Sequence, residues 1–243
     1  MTVGCAADLE ALKLLGGVVR EAIAEAGARA TPGTRTVDLD EVIGEVLARR
    51  GVRSAPKLAY NFPGHGCISV NDEAAHGIPG ARVLREGDLV NIDVSAEKDG
   101  FFADSGASFA VGRVSTRARR LCVHTRRALE RAMGQARAGA SVSNIGVAVT
   151  AVARAASLRV IGELAGHGVG RALHEEPSVP NIPGSTDTLH EGLVITIEPF
   201  LTTGSGRIKT DPDGWTLRTT DGGLCAQYEH TMVITRGAPI IVT

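Results

Sequence analysis

Apolar residues recur at steps of three and four along four segments of the chain, the period of an amphipathic helix. Leu9, Leu12, Leu15, Val19 and Ile23 show this spacing in the first segment. The pattern predicts helices over residues 7–26, 37–50, 116–138 and 144–156. Thr36 and Ser115 stand where N-caps are expected, and Gly51 stands where the second helix should end.

Period-two alternation and β-branched residues fill much of the remainder and indicate strands. The predicted strands are 67–70, 89–95, 101–111, 193–200 and 226–235. The order helix, helix, strands therefore occurs twice. This order predicts an α/β (α+β) chain in which helices pack on antiparallel sheets.

The doubled order is accompanied by a sequence repeat, which indicates duplication of one unit. Segment 86–93 (EGDLVNID) resembles segment 191–198 (EGLVITIE), and both end in a carboxylate. We therefore expect one domain over 1–243, built from pseudo-repeats of about 1–114 and 115–243. If the halves pack about a pseudo-two-fold axis, Asp93 and Glu198 converge on one site.

Composition narrows the function classes. The chain has 243 residues, 43% of them hydrophobic, and a formal net charge of −1. That balance gives no bulk electrostatic basis for sequence-specific nucleic-acid or membrane binding. The four cysteines are widely separated, which disfavours a thiolate zinc module and fits reduced thiols. With no signal-peptide pattern and no coiled-coil repeat, we expect a cytoplasmic monomer.

Carboxylates inside apolar strands are the first sign of chemistry. Asp93 interrupts VNIDV, and Asp104 lies on the return strand of a predicted hairpin that turns near 98–100. Even shifts of register keep Asp93 and Asp104 on the same face of the sheet. Two adjacent carboxylates repel unless one is protonated or a cation lies between them. A divalent cation is the expected solution.

Three further residues extend this set. Glu198 and Glu229 are single acids in apolar strands, and His167 lies among glycines in AGHGVGR. Four carboxylates with one imidazole suit hard-to-borderline ions such as Mn, Fe, Co or Zn, with carboxylates bridging.

Several stretches together resemble the methionine aminopeptidase family. They are CISVNDEAAHGIP, GDLVNIDVSAEKDGFFADSGASF, GHGVGRALHEEP, VITIEPF and DGWTLRTTDGGLCAQYEHTMVIT. The resemblance implies the pita-bread fold, two related halves around a central antiparallel sheet. It implies a hydrolase that removes the N-terminal methionine from nascent proteins, with preference for a small second residue. Two divalent ions per chain are implied as cofactors (Co, Mn, Fe, Zn or Ni).

The resemblance also assigns roles to the five candidate ligands. Asp93 would hold one metal, and His167 with Glu198 would hold the other. Asp104 and Glu229 would bridge both. Glu198 would in addition accept a proton from the attacking water.

Substrate contacts are implied in the same way. His76 in HGIP and His174 in HEEP would contact the substrate around the scissile bond. Phe62, Cys67 and Trp215 would form the apolar pocket for the methionine side chain. Three positions depart from the common family pattern: Ala75, Leu173 and Ser105. The first two would change the shape of the pocket, whereas Ser105 keeps a hydroxyl and should leave metal binding intact.

The expected partners are nascent polypeptide N-termini. A contact with the ribosome near its exit tunnel would use the arginine-rich segment 117–131, whose plainer interpretation is a solvated helix face. Two alternatives stay open at this point. One is an X-Pro-specific metallopeptidase of the same fold, and the other is a non-catalytic homologue that binds nascent chains or ribosomes.

Overall fold

A computed structural model describes residues 1–243, and it contains five helices. They are α1 (Ala6–Ala28), α2 (Thr36–Arg49), α3 (Ala55–Tyr60), α4 (Thr116–Met133) and α5 (Ser143–Ala155). Four correspond to the predicted helices. The prediction missed α3, because six residues are too few to show a helical period. No helix is long and apolar enough to cross a bilayer.

The start of α2 differs from the prediction. Thr36 was expected to be the N-cap, but it is the first helical residue, and Arg35 occupies the cap position. The Thr36 hydroxyl instead donates to the Gly80 carbonyl at 3.1 Å and accepts from the Gly80 amide at 2.9 Å. Asp38 accepts the Arg35 backbone N–H at 2.9 Å. The Thr36 hydroxyl therefore bonds to a residue distant in sequence and does not cap α2, although local sequence preference favours threonine as an N-cap.

The end of α4 was predicted too late, at 138 instead of Met133. Gly134 follows directly, and glycine disfavours continuation of a helix. Beyond it, the Ala138 amide donates to the Thr235 carbonyl at 2.8 Å and the Gly139 amide to the Leu189 carbonyl at 2.8 Å. The segment after α4 is thus drawn into contacts with distant backbone. The cap at Ser115 is confirmed, since its hydroxyl accepts from the Ala118 amide at 3.1 Å.

Fifteen short strands complete the chain. They are β1 (Arg53–Ser54), β2 (Cys67–Val70), β3 (Glu73–Ala75), β4 (Leu89–Lys98), β5 (Phe101–Ala110), β6 (Arg159–Val160), β7 (Ala165–Gly168), β8 (Glu175–Pro180), β9 (Val194–Ile197), β10 (Phe200–Thr202), β11 (Ile208–Thr210), β12 (Leu217–Thr219), β13 (Cys225–Gln227), β14 (His230–Val233) and β15 (Ile240–Ile241).

All strand pairs are antiparallel. One sheet has the order β1-β4-β2 with β5 also on β4, and another has the order β15-β14-β9-β7-β8. Two three-stranded sheets, β13-β10-β6 and β11-β12-β3, lie beside them. The Glu229 amide donates to the Gly106 carbonyl at 2.9 Å, which joins the second half of the chain to β5 of the first.

Two predicted strands are each divided in the structure. The strand expected over 193–200 breaks at Glu198-Pro199 into β9 and β10, because proline has no N–H for the ladder. The strand expected over 226–235 breaks at Tyr228-Glu229 into β13 and β14. In both places a candidate ligand lies at the break, where the backbone is free to turn its side chain inward.

The hydrophobic core consists of two main clusters of 21 buried residues each. One joins α1 and α2 to β2 and β4, and the other joins α4 and α5 to β9 and its neighbours. Leu12, Leu15, Val19, Ile23 and Ala26 form the buried face of α1. The doubled arrangement of helix pair on sheet agrees with the doubled order of elements along the chain.

The β4–β5 hairpin sets the register of the first two candidate ligands. Asp99 and Gly100 form its two-residue turn, with φ values of 52° and 76°, and Lys98 pairs with Phe101. Such turns require positive φ at both central positions. Asp104 therefore lies opposite Ser95, on the same sheet face as Asp93. The expected shared face is confirmed.

We expect Gly100→Ala to lower the free energy of unfolding by about 1 kcal/mol, because alanine is strained at positive φ. Gly80→Ala is the matched control, since Gly80 has no positive φ and open space at its Cβ position. Denaturant unfolding of both variants measures the difference. Equal stabilities would show that the turn imposes no strain on the hairpin.

Candidate metal centre and substrate cavity

A cavity of about 550 Å³ opens where the two halves meet. Its polar wall includes Asp93, Asp104, His167 and Glu198, and its apolar wall includes Phe62 and Trp215 among others. No lysine or arginine lines it. One end of the cavity is therefore acidic, with no lysine or arginine to neutralise the acids, and the other end is apolar. We call the apolar end, lined by Phe62 and Trp215, the slot.

Separate elements deliver the five candidate ligands. Asp93 lies on β4, Asp104 on β5 and His167 on β7, while Glu198 and Glu229 follow β9 and β13 at the strand breaks. One ligand atom each from Asp104, His167 and Glu229 lies within 4.8 Å of the others. His167 Nε2 is 3.5 Å from Glu198 Oε1 and 3.8 Å from Asp104 Oδ2. We call these five residues the acid centre.

Gln227 connects Glu229 to Asp93 within the acid centre. Its Nε2 donates to Glu229 Oε2 at 2.9 Å and approaches Asp93 Oδ2 at 3.4 Å. Gln227 is fully buried; its contact with Glu229 is buried and its contact with Asp93 is partly buried. Gln227 was not predicted, although its place two positions before Glu229 in the predicted strand 226–235 puts both side chains on one face.

His167 is held in a form suited to a ligand. Its Nδ1 donates to the Gly168 carbonyl at 2.8 Å, which leaves Nε2 as an acceptor facing the acids. Burial, followed by the nearby His174, lowers the His167 pKa to about 4. The ring is therefore neutral near pH 7, with a lone pair directed at Asp104 and Glu198.

The shared environment of the four carboxyl groups destabilises their ionised forms. Burial is the main cause that raises the pKa of Asp93, Glu198 and Glu229 well above their ordinary values, and neighbouring carboxylates add to it. Burial also raises the pKa of Asp104 to about 6. A cation among them would favour the ionised forms.

Unsatisfied atoms test whether a metal ion fits. Asp104 Oδ1 and Glu229 Oε1 are buried and have no hydrogen-bond partner. Buried polar atoms are rarely left unpaired, and an absent ion is one of the usual reasons. Oxygen donors with one imidazole match the preferences of Mn, Fe, Co or Zn. The residues present therefore fit a divalent metal.

Hydroxyls behind the acid centre orient its members. Ser105 was already noted as a departure from the family pattern, whereas Thr196 was not predicted. Thr196 Oγ1 donates to Glu198 Oε1 at 3.0 Å and accepts from the His167 amide at 3.1 Å. Ser105 donates to the Glu229 carbonyl at 2.7 Å. Such supporting contacts fix ligand geometry. Thr196 could have been found as the residue two before Glu198 on the same strand.

The predicted pocket residues line the apolar part of the cavity. The rings of Phe62 and Trp215 meet edge to face, with centroids 5.1 Å apart. Cys67 pairs across the sheet with Asp93 and so stands between slot and acid centre. Two positions that depart from the family pattern, Ala75 and Leu173, are buried and also line the cavity.

Both predicted substrate histidines also line the cavity. The His174 ring lies 4.2 Å from the His167 ring, centroid to centroid. Tyr60 Oη lies 2.6 Å from His174 Nδ1, and the sequence carried no signal for it because α3 was not predicted. Burial lowers the pKa of both His174 and His76, which favours neutral imidazoles.

An acid centre that needs a cation to offset its charges, placed beside an apolar slot, is typical of a metal-dependent hydrolase. The chain belongs to metallopeptidase family M24, whose profile matches residues 10–236. The resemblance stated from the motifs is thereby confirmed.

Curated relatives cover nearly the whole chain. Methionine aminopeptidase 2 of Bacillus subtilis is 45% identical over 240 residues, which are 97% of this chain and 96% of the relative. A methionine aminopeptidase of Staphylococcus epidermidis is 44% identical over 243 residues, with the same coverage.

Solved structures confirm the pita-bread fold. The methionine aminopeptidase of Thermotoga maritima superposes with a TM-score of 0.96 at 33% identity, covering 100% of this chain and 99% of that one. A prolidase from Pyrococcus furiosus has a TM-score of 0.78 at 20% identity, and this chain covers 65% of it. The prolidase shares the fold.

The raised pKa of Asp104 predicts a pH effect on the ion-free protein. Its pKa is 3.8 ordinarily and about 6 in the folded state, so the folded protein holds the proton more tightly. The stability that Asp104 contributes is then greatest below its ordinary pKa of 3.8, and it is lost as the pH rises through the folded-state pKa of about 6. At about pH 7.5 with chelator, we expect Asp104→Asn to raise the free energy of unfolding by about 2 kcal/mol.

The same variant should lose the stabilisation that a divalent ion gives the parent protein, because binding to the folded state raises its stability. Asp187→Asn, at an exposed position, is the control and should change neither property. Unfolding curves with chelator and with Mn²⁺ measure both effects. An Asp104→Asn protein that Mn²⁺ stabilises like the parent would contradict the assignment.

Proposed function

We propose that this chain removes the N-terminal methionine from proteins in a metal-dependent hydrolysis, with preference for a small second residue. The observation that carries the proposal is the acid centre at the end of an apolar slot, in a chain whose whole-length relatives are methionine aminopeptidases. A slot for one side chain beside the centre would place the peptide bond that follows this residue at the centre, and binding of the free α-amine by a metal would restrict cleavage to the first residue.

We infer two divalent ions per chain. Asp93 would hold one, His167 and Glu198 the other, and Asp104 and Glu229 would contact both. Four buried carboxylates carry more negative charge than one divalent ion offsets, which favours the pair. When bound, such ions polarise the scissile carbonyl and lower the pKa of the attacking water.

Glu198 is the proposed proton carrier. Thr196 holds its Oε1, and a bound cation would favour its ionised form. An ionised carboxylate can accept a proton from water and pass it to the leaving amine. In this role Glu198 would serve both as ligand and as general base.

His174 is the proposed donor to the carbonyl oxygen as charge develops on it, and His76 would orient the peptide from the same cavity. A hydrogen bond donated by Tyr60 Oη to His174 Nδ1 leaves the proton on Nε2, where it can serve the substrate. A neutral donor of this kind contributes about 2–4 kcal/mol in a transition state.

The methionine side chain would occupy the slot between Phe62, Cys67 and Trp215. An edge-to-face aromatic pair beside a thiol offers soft, apolar surface that suits a thioether. Because the methionine side chain would fill the slot, the second residue is left near the rim, where a small side chain is accommodated.

Hydrolysis of Met-Ala-Ser with added Mn²⁺ or Co²⁺ tests the proposed activity. We expect Glu198→Gln to lower kcat by at least about 100-fold, because the amide cannot accept the proton. Glu130→Gln, on the exposed face of α4, is the matched control and should keep full activity.

The two alternatives give different results in the same assay. Cleavage of X-Pro peptides without cleavage of Met-Ala-Ser would favour the proline-specific peptidase. No cleavage of either peptide with any divalent ion would favour a non-catalytic binder.

Ribosome contact is a further part of the proposal, and it concerns the exposed face of α4. Its exposed arginines are Arg117, Arg119, Arg120, Arg126, Arg127 and Arg131. None of them forms an ion pair with an acid of this chain, so the positive face is available to a polyanion such as ribosomal RNA.

Charge reversal tests this face. We expect the triple variant Arg119→Glu, Arg120→Glu, Arg127→Glu to lose at least about tenfold in ribosome affinity, because phosphate contacts add and depend on salt. Co-sedimentation with ribosomes measures it.

A control triple reverses Arg29, Arg85 and Arg207, which are exposed positions outside α4 and, like the α4 arginines, form no ion pair. It has the same change in net charge and should bind ribosomes almost as well as the parent. Equal binding by both triples would remove the α4 face from the proposal.

A further inference from the structure

Arg218 on β12 contacts three carboxylates from two separate parts of the chain. Its Nε donates to Asp211 Oδ2 at 2.8 Å, Nη1 to Asp72 Oδ1 at 2.8 Å and Nη2 to Glu73 Oε1 at 3.0 Å. The side chain is 27% exposed. A partly buried arginine with three such partners is a geometric link, since its planar fork matches several acceptors at once.

The segments joined in this way carry two residues of the cavity wall. Asp72 directly precedes β3 and Glu73 is its first residue, and β3 ends at Ala75 immediately before His76. Asp211 opens the turn that carries Trp215. Arg218 therefore connects the backbone that presents His76 to the backbone that presents Trp215.

Local hydrogen bonds make the turn a rigid extension of this link. Asp213 Oδ1 accepts from the amides of Trp215 and Thr216, each at 2.8 Å. The Asp211 amide donates to the Thr216 carbonyl at 2.8 Å. A shift of Asp211 would consequently move Trp215 with it.

The backbone pairing between β12 and β3 is too limited to fix this geometry without help. Both strands have three residues, and their register shifts between Leu217 and Arg218. On the other side Glu73 is held firmly, since it also accepts from Arg82 Nη1 at 2.6 Å and from the Val70 amide at 2.6 Å. The Arg218 guanidinium thus joins the turn that carries Trp215 to Glu73, which two other hydrogen bonds hold in place.

We propose that Arg218 is a positioning residue that sets the place of Trp215 relative to His76, and so the width of the substrate slot. The role as a substrate slot rests on the proposed function. The position of Trp215 itself does not, and it can be measured without activity.

Fluorescence of Trp215 measures that position directly, because it is the only tryptophan. We expect Arg218→Gln to increase acrylamide quenching about twofold, since the half-buried indole gains solvent contact and mobility when the turn is released. Asp211→Ala should act similarly, because it cuts the turn from Arg218 and leaves the contacts to β3. It also serves if Arg218→Gln folds poorly.

Arg207→Gln is the matched control, because Arg207 lies on the neighbouring loop, is exposed and has no side-chain partner. It should quench like the parent. Arg218→Lys should be intermediate, since an ammonium keeps the charge but cannot reach all three acids with fixed geometry.

Kinetics provides the second test. For Met-Ala-Ser we expect Arg218→Gln to raise KM about tenfold and to change kcat by less than about threefold, as expected when pocket contacts are weakened and the acid centre is intact. A general loss of folded protein would lower the apparent kcat and leave KM unchanged.

The possible results separate the two proposals. Unchanged quenching in both Arg218→Gln and Asp211→Ala would overturn the positioning role, whatever the activity. Increased quenching in a protein whose parent form cleaves no methionine peptide would support the link and reject the proposed function.

Discussion

Four carboxyl groups that converge at one largely buried site, with no lysine or arginine among them, are the constraint on which this structure depends. Burial of an unpaired charge costs several kcal/mol per group, and like charges add to that cost. Relief comes from protonation or from a divalent cation. The neutral imidazole of His167, with its lone pair turned toward the acids, favours the cation. A fold that keeps such a centre retains an unfavourable arrangement for the sake of function.

Both halves of the chain contribute acids to this centre. Asp93 and Asp104 come from one hairpin, while Glu198 and Glu229 come from breaks in the strands of the other half. A broken strand loses ladder hydrogen bonds but allows its side chain to point inward. Pro199 enforces one break, and the contact of Glu229 with the Gly106 carbonyl compensates the other. The same junction that holds the halves together thus forms the centre.

Much of this architecture could be predicted from local patterns. Helix periodicity located four helices to within a few residues, and the hairpin turn near 98–100 placed Asp93 and Asp104 on the same face of the sheet. Two of the errors have the same physical origin, namely competition from distant partners. Thr36 bonds Gly80 instead of capping α2, and the segment after α4 pairs with remote backbone. Tyr60 and Arg218 gave no signal, because their roles exist only through contacts with residues far away in the chain.

The sequence by itself determined the residue types of the centre, the hairpin that pairs two of them and the motifs that identify the family, because strand period and turn chemistry act over a few residues. Tertiary structure alone decided which atoms meet: His167 Nε2 at 3.5 Å from Glu198, Gln227 between two acids, and the Phe62 ring against Trp215. These contacts depend on the relative placement of two separately formed cores. That placement follows from packing over the whole molecule, for which no local sequence pattern exists.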